Sequence, residues 1–232
     1  MRVALGIPVF GMVPGEALPS MLRLAVEIGR LGEVAIVVPI DQSPHERARN
    51  YIMETSLGLD CQWLMFMDTD NTIPNEAFQK LLSLAEKGSV ITAGHYVQRG
   101  YPFMPTWGKI APGGTQHHFT MRAKEGREGV EIDSCGMGCT LINLEWVRDN
   151  LPPGGWFKKE EGPKGVTGED TFFCMKVAER GGGIMGHTDV RCGHLSKREE
   201  ITDENAEGFR KLHLEAVKAL QAFPIKGRRD KE

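Results

Sequence analysis

The sequence predicts an α/β fold built on a mostly parallel, doubly wound sheet, with a smaller antiparallel region following it. Three observations predict it. Apolar runs of strand length alternate with segments of helical periodicity through residue 94, Gly and Pro punctuate each change, and after Gly94 the pattern gives way to short strands and turns.

Val3 to Phe10 has the apolar content of a first strand, interrupted by Pro8. Leu18, Met21, Leu22, Ala25, Val26 and Ile28 then recur at helical spacing, and Gly32 ends that helix. Val34 to Ile40 is a second strand. Ser43-Pro44-His45-Glu46 reads as an N-cap, a proline at the first helical position and a capping-box glutamate, so a helix is expected from Ser43 to about Gly58. Gln62 to Met67 is a third strand, Asp68 to Thr72 a polar loop, Pro74 to Lys87 a third helix and Ser89 to Ala93 a fourth strand. In sheets of this order ligands sit beyond the carboxyl ends of the strands, where Asp68 and Asp70 fall.

In the second part, Pro105 to Ile110 and His117 to Arg122 flank a Gly-Pro-rich turn and suggest a hairpin. Val130 to Asp133 and Cys139 to Asn143 are further strands. Pro152 to Gly168 reads as a mobile loop with an exposed Trp156-Phe157 pair, its glycines able to hinge over a ligand and Trp156 able to stack on it. A helix from Gly168 to Arg180, a strand from Ile184 to Val190, the tetrad Cys192-Gly193-His194-Leu195 and an amphipathic helix opened by Thr202 complete the chain.

With 232 residues, one domain over 1–221 is expected: a first half over 1–94, a second half over 95–200, a C-terminal helix over 201–221, then a charged tail at 222–232. Hydrophobic residues at 41% and charged residues at 25% exclude wholesale disorder, and a net charge of -3 gives no basic balance for a nucleic-acid partner. The basic cluster from Lys226 to Lys231 reads as a solvated tail. Five cysteines form an odd set without a secretion signal, which favours reduced thiols and a cytoplasmic location; Cys135 and Cys139 lack the second ligand pair a zinc site needs. No apolar run is long enough for an integral membrane segment.

The chemistry sits in three places. Asp68-Thr69-Asp70, directly after a buried strand, offers two carboxylates to one hard cation, and Mn2+ or Mg2+ so held can bridge a diphosphate. Glu169-Asp170 stands where a glycine-rich loop becomes a helix; its plain role is to stabilise the helix dipole, and its catalytic role is that of general base or acceptor clamp. His194 offers a third ligand to a cation held by two carboxylates.

The ordered series Ser43-x-x-Glu-Arg-Ala-Arg49-Asn50, Leu64-Met-Phe-Met-Asp-Thr-Asp70, Gly94-His-Tyr96-Val-Gln-Arg99, Gly136-Met-Gly138, Gly168-Glu-Asp170 and Gly193-His194 resembles bacterial and phage glycosyltransferases related to family 2. The resemblance implies the GT-A fold, with a nucleotide-sugar donor bound by the nucleotide-binding half over 1–94 and a sugar or other hydroxyl acceptor by the acceptor-side half over 95–200. It assigns the metal to Asp68, Asp70 and His194. It assigns donor contacts to Pro8, Phe10, Arg49, Asn50, Asp68, Thr69 and the Gly136, Met137, Gly138 turn, and the catalytic carboxylates to Asp170 and Glu169. Asp41, ending Pro39-Ile40-Asp41, stands where the family's base-binding aspartate is expected, in a strand end that departs from the family pattern. Two rivals share these residues: a haloacid-dehalogenase-like phosphatase, with Asp68 as nucleophile in Asp68-Thr69-Asp70-Asn71-Thr72, and a nucleotide-sugar-binding module without turnover.

Overall fold

The computed structural model describes residues 1–110, 116–118, 128–162, 165–196 and 200–222. In chain order they form β1 (Arg2–Gly6), α1 (Leu18–Leu31), β2 (Glu33–Val37), α2 (His45–Gly58), β3 (Trp63–Met67), β4 (Asn71–Thr72), α3 (Ala77–Ala85) and β5 (Ser89–His95). There follow β6 (Gly108–Ile110), β7 (Gln116–His118), β8 (Gly129–Glu131), β9 (Cys139–Asn143), α4 (Leu144–Asn150), β10 (Glu160–Gly162), β11 (Gly165–Thr167) and α5 (Glu169–Glu179). The chain closes with β12 (Gly183–Arg191), β13 (Gly193–Leu195), β14 (Glu200–Ile201) and α6 (Ala206–Ala222).

The central sheet runs in the order β2-β1-β3-β9-β5-β12-β8. The pairs of β1 with β2 and β3, and of β5 with β12, are parallel, whereas β9 lies antiparallel between β3 and β5 and β8 lies antiparallel on β12. The period-two alternation of a strand divides the core. Leu64 and Phe66 of β3 point to a cluster shared with Ile52, Met53, Phe157 and Phe173, while Met65 and Met67 point to one shared with Leu24, Ile28, Phe78 and Leu81. Helices α1 and α3 therefore cover one face, and α2 and α5 the other. Each fully buried side chain of this size contributes about 1.5–3 kcal/mol. Gly6 lets α2 approach β1, since a Cβ there would run into Ile52.

Several expectations change. Helix α2 begins at His45, not Ser43: Pro44 takes the cap position with ψ 173, and no side chain caps the helix. Asn71-Thr72, expected as loop, is a strand because it finds a partner in β13. Helix α4 was not anticipated; Asn143 caps it by accepting the Trp146 amide at 2.9 Å. Thr202 does not start the last helix directly but accepts the Asn205 amide at 3.3 Å just before it.

The largest correction concerns residues 152–168. Trp156 is 8% exposed and Phe157 1%, so both fill the core rather than a surface loop. The ring of Phe157 lies 4.6 Å from that of Phe173 and 5.7 Å, edge-on, from that of Phe66. The same segment then forms the β10-β11 hairpin, with Glu160 opposite Thr167. The expected β6-β7 hairpin is present, but its second strand covers only Gln116–His118, and residues 119–122 of the expectation lie outside the described residues. So do Lys197, Arg198 and the tail after residue 222. No described helix is long and apolar enough to cross a membrane.

Candidate active site

The turn after β3 builds one wall of the site. Asp68 donates its amide to the Gly138 carbonyl at 3.2 Å and accepts the Asn71 amide at 3.2 Å, which returns the chain at once into β4. Pairing of β4 with β13 puts Asn71 opposite His194, and the Leu195 amide reaches the Asp70 carbonyl at 2.6 Å. That ladder carries His194 to Asp70: Nε2 lies 3.4 Å from Oδ2. Nδ1 lies 2.8 Å from the Val97 carbonyl, and since a carbonyl only accepts, Nδ1 donates. The hydrogen bond thereby orients the ring and turns Nε2 toward the Asp70 carboxylate, the arrangement that prepares an imidazole as a ligand. Burial works to raise the Asp70 pKa, but the hydrogen bond and charge of His194, with the charge of Arg99, overcome it and hold the carboxyl below its ordinary range.

Behind this wall stands Arg49, on the inner face of α2. Its guanidinium is 4% exposed, 3.2 Å from Asp68 Oδ2 through Nη2 and 3.1 Å from Asp170 Oδ1 through Nε, with Glu169 Oε1 at 3.9 Å. It also lies 5.4 Å from the ring centre of Phe66. Burial alone would lower the pKa of Arg49; Asp170 and Asp68 outweigh burial and hold it above its ordinary value. One buried cation thus faces three carboxylates. Burial pushes the Asp170 carboxyl up to about 7, with Arg49 opposing, Glu169 and Asp68 adding to the rise, and the Met137 amide opposing again.

The Gly136-Met137-Gly138 turn is the floor. Met137 donates its amide to Asp170 Oδ2 at 3.1 Å, and Gly138 donates to the Tyr96 hydroxyl at 2.8 Å. A Cβ on Gly136 would collide with that hydroxyl, and one on Gly138 with Asn71 Oδ1, so both positions need glycine for space. Burial, with Asp68 and Asp170 nearby, holds Tyr96 well above the ordinary phenol range.

In front of these residues opens a cleft of about 320 Å³. Pro8, Phe10, Arg49, Asp68, Thr69, Asp70, Glu169 and His194, all named from the sequence, line it. Six others named with them do not. Asp170 pairs with Arg49 from the start of α5, its side chain 24% exposed. Gly136, Gly138 and Met137 do not reach the cleft, the Met137 side chain being wholly in the core. Asn50 instead clamps the backbone of Phe157, donating to its carbonyl at 2.7 Å and accepting its amide at 3.0 Å. Asp41, also outside the lining, accepts the Gly11 amide at 2.9 Å and so shapes the loop that carries Phe10. Sequence reasoning assigned no role to His45, whose ring packs 4.4 Å from Phe10, or to Arg99, which pairs with Asp70. Arg99 closes the Gly94-to-Arg99 motif, which was the one available signal for it.

Among the described residues no group of three or more His, Cys, Asp or Glu side chains is gathered to hold a metal ion. Asp70 and His194 adjoin, whereas Asp68 turns one oxygen to Arg49. The donor set nevertheless suits a hard divalent cation, because Asp68 Oδ1 is buried with no hydrogen-bond partner and two carboxylates and an oriented imidazole share one cleft wall.

No protein-family model matches the sequence, and no curated protein matches it. Solved structures do. A197 from STIV aligns with a TM-score of 0.57 at 19% identity, over 87% of this chain and 94% of that one. GalNAc-T7, crystallised with UDP, GalNAc and Mn2+, aligns at 0.52 and 12% identity, over 85% of this chain and 43% of that one. S. aureus TarS 1-349 in complex with UDP-GlcNAc aligns at 0.51 and 13% identity, over 86% of this chain and 59% of that one. The chain thus spans about half the length of the latter two. Its fold is the GT-A fold, with the mixed central sheet and small antiparallel sheets of these neighbours. Within it, β3, which delivers Asp68, is the third strand of the chain and lies beside the antiparallel β9.

Proposed function

We propose that the chain transfers a sugar from a nucleotide-sugar donor to an acceptor hydroxyl. The observation that carries this reading is the meeting of the D-x-D turn and the Glu169-Asp170 helix start, distant in sequence, on one buried guanidinium at the back of a cleft beyond the strand ends. The folds it resembles lend support, since GalNAc-T7 was crystallised with UDP and Mn2+ and TarS with UDP-GlcNAc.

Each residue has a task in this reading. Phe10 and His45, packed ring on ring, offer the nucleobase an aromatic wall. Asp68, Asp70 and His194 are the residues that would hold Mn2+ or Mg2+, whose chemistry when bound is to stabilise the negative charge of the departing diphosphate. Arg49 keeps Asp68 and Asp170 in place. Asp170, with a carboxyl pushed up to about 7, takes the proton of the attacking hydroxyl, and Glu169, which lines the cleft, orients the acceptor. The test is a screen of nucleotide sugars with Mn2+ for hydrolysis or transfer, run beside an aryl phosphate. Turnover of at least one donor is expected; phosphate release from the aryl ester with every donor left intact would overturn the proposal.

A further inference from the structure

The hairpin that follows β5 holds two parts of the site at once. Val97 bridges to Pro105, Gln98 donates its amide to the Met104 carbonyl at 2.9 Å, and Phe103 donates to Gly100 at 2.7 Å. The Val97 carbonyl at its base orients His194, and Arg99 at its tip places Nη1 on Asp70 Oδ2. This is the oxygen that His194 Nε2 also faces. Two cationic or ligating groups therefore converge on one carboxylate oxygen in the wall to which the cation is assigned.

The two arginines of the cleft differ in what holds them. Arg49 is buried under three carboxylates, whereas the Arg99 side chain is 59% exposed, and Asp70 is its one ion-pair partner among the described residues. An exposed pair of this kind is worth little, so a divalent cation can displace it. Displacement is also required electrostatically, because a guanidinium and a divalent cation at the same oxygen repel each other strongly at such short range.

We propose that Arg99 is an internal stand-in for the metal: it neutralises Asp70 in the empty site, gives way when a divalent cation binds, and then takes a phosphate oxygen of the nucleoside diphosphate from the cleft rim. The inference rests on the glycosyltransferase reading above. A guanidinium suits both tasks, since the same fork of N–H donors pairs with a carboxylate or a phosphate. The two tasks give opposite signs on removal: loss of a competitor tightens metal binding, and loss of a phosphate partner weakens nucleotide binding.

The experiment compares the parent with Arg99→Gln and Arg99→Lys, first for Mn2+ alone, following free Mn2+ by electron paramagnetic resonance, then for UDP at saturating Mn2+ by calorimetry. Arg99→Gln is expected to bind Mn2+ at least about threefold more tightly than the parent and UDP about tenfold more weakly. Arg99→Lys keeps the charge and should stay near the parent for Mn2+ while losing part of the UDP affinity. The exposure of Arg99 leaves little reason for these variants to melt differently. Equal or weaker Mn2+ binding by Arg99→Gln would overturn the stand-in role, and unchanged UDP binding would overturn the phosphate role. A parent that binds neither probe would sink the glycosyltransferase reading and this inference with it, whereas a parent that binds both beside an indifferent Arg99→Gln sinks only the inference.

Discussion

The back and the rim of the cleft hold their charges in opposite ways. At the back, the Arg49 guanidinium is held out of water by Asp68, Glu169 and Asp170, themselves partly exposed, with Met137 and Tyr96 fixing the surrounding turn. At the rim, Asp70, His194 and Arg99 meet on one carboxylate, and Arg99 stands largely in solvent. Burial makes the first arrangement costly to break and slow to exchange, while exposure makes the second cheap to rearrange. The proposed transfer needs both, a fixed frame for the reacting groups and an exchangeable set of charges for a ligand that must come and go.

The largest effect is expected from breaking the back. Arg49→Met strands three carboxylates around an apolar side chain, and removal of one partner from a buried ion pair typically costs about 3–5 kcal/mol. Chemical denaturation should show that loss, and a midpoint within error of the parent would mean that the node does not bear on stability. Asp170 is expected to separate framework from chemistry. Asp170→Asn keeps the shape, so it should bind UDP and Mn2+ nearly as the parent does and transfer sugar at least about a hundred times more slowly. The sign with pH follows from the carboxyl pushed up to about 7: the base is ionised above that pH and protonated below it, so parental kcat/KM should fall as pH drops through about 7. An acid limb absent from the parent, or near-parental turnover by the variant, removes Asp170 from the reaction.

At the rim the expected losses are confined to binding. His194→Ala should weaken Mn2+-dependent UDP binding about 10- to 100-fold while melting close to the parent, because the ring is only partly buried and its packing against Tyr96 is a single edge-on contact. Parental calorimetry would make His194 structural, and a large loss of melting temperature would move it to the back of the cleft. The smallest effect belongs to Asn50, the neighbour of Arg49 on α2. Asn50→Ala removes both hydrogen bonds to the Phe157 backbone and should cost about 1–2 kcal/mol with UDP affinity unchanged. A clear loss of UDP affinity would return Asn50 to the donor site.

Much of this contrast was legible in the sequence, though unevenly. The Asp68, Asp70 and His194 positions stood out because their residue types and strand-end placement are local properties. Arg49 and Asn50 were named together as donor contacts, and the structure separates them. Adjacent residues on a helix point about 100° apart, so one entered the charged node while the other turned to Phe157. Trp156-Phe157 was read as exposed from the polar, glycine-rich company it keeps, and composition says nothing of a core that arrives from β3 and α5. Arg99 passed unnoticed for the complementary reason: an arginine in a turn has no periodicity to give it away.

By itself the sequence determined the order of strands and helices through β5, save for β4, because alternation and helical spacing are properties of neighbouring residues. It offered as well the side chains that the proposed function assigns to a cation and a proton. Only the tertiary structure decided that β9 enters antiparallel between β3 and β5, an insertion that sets the Gly136-Met137-Gly138 turn beneath Asp68 and Asp170. It also decided that α2 turns Arg49 inward to join two acidic motifs distant in sequence, and that β4 and β13 bring His194 to Asp70. These pairings depend on which distant faces bury one another. Short-range patterns of residues do not record that, because the free energy that selects such contacts comes from packing and desolvation across the whole fold.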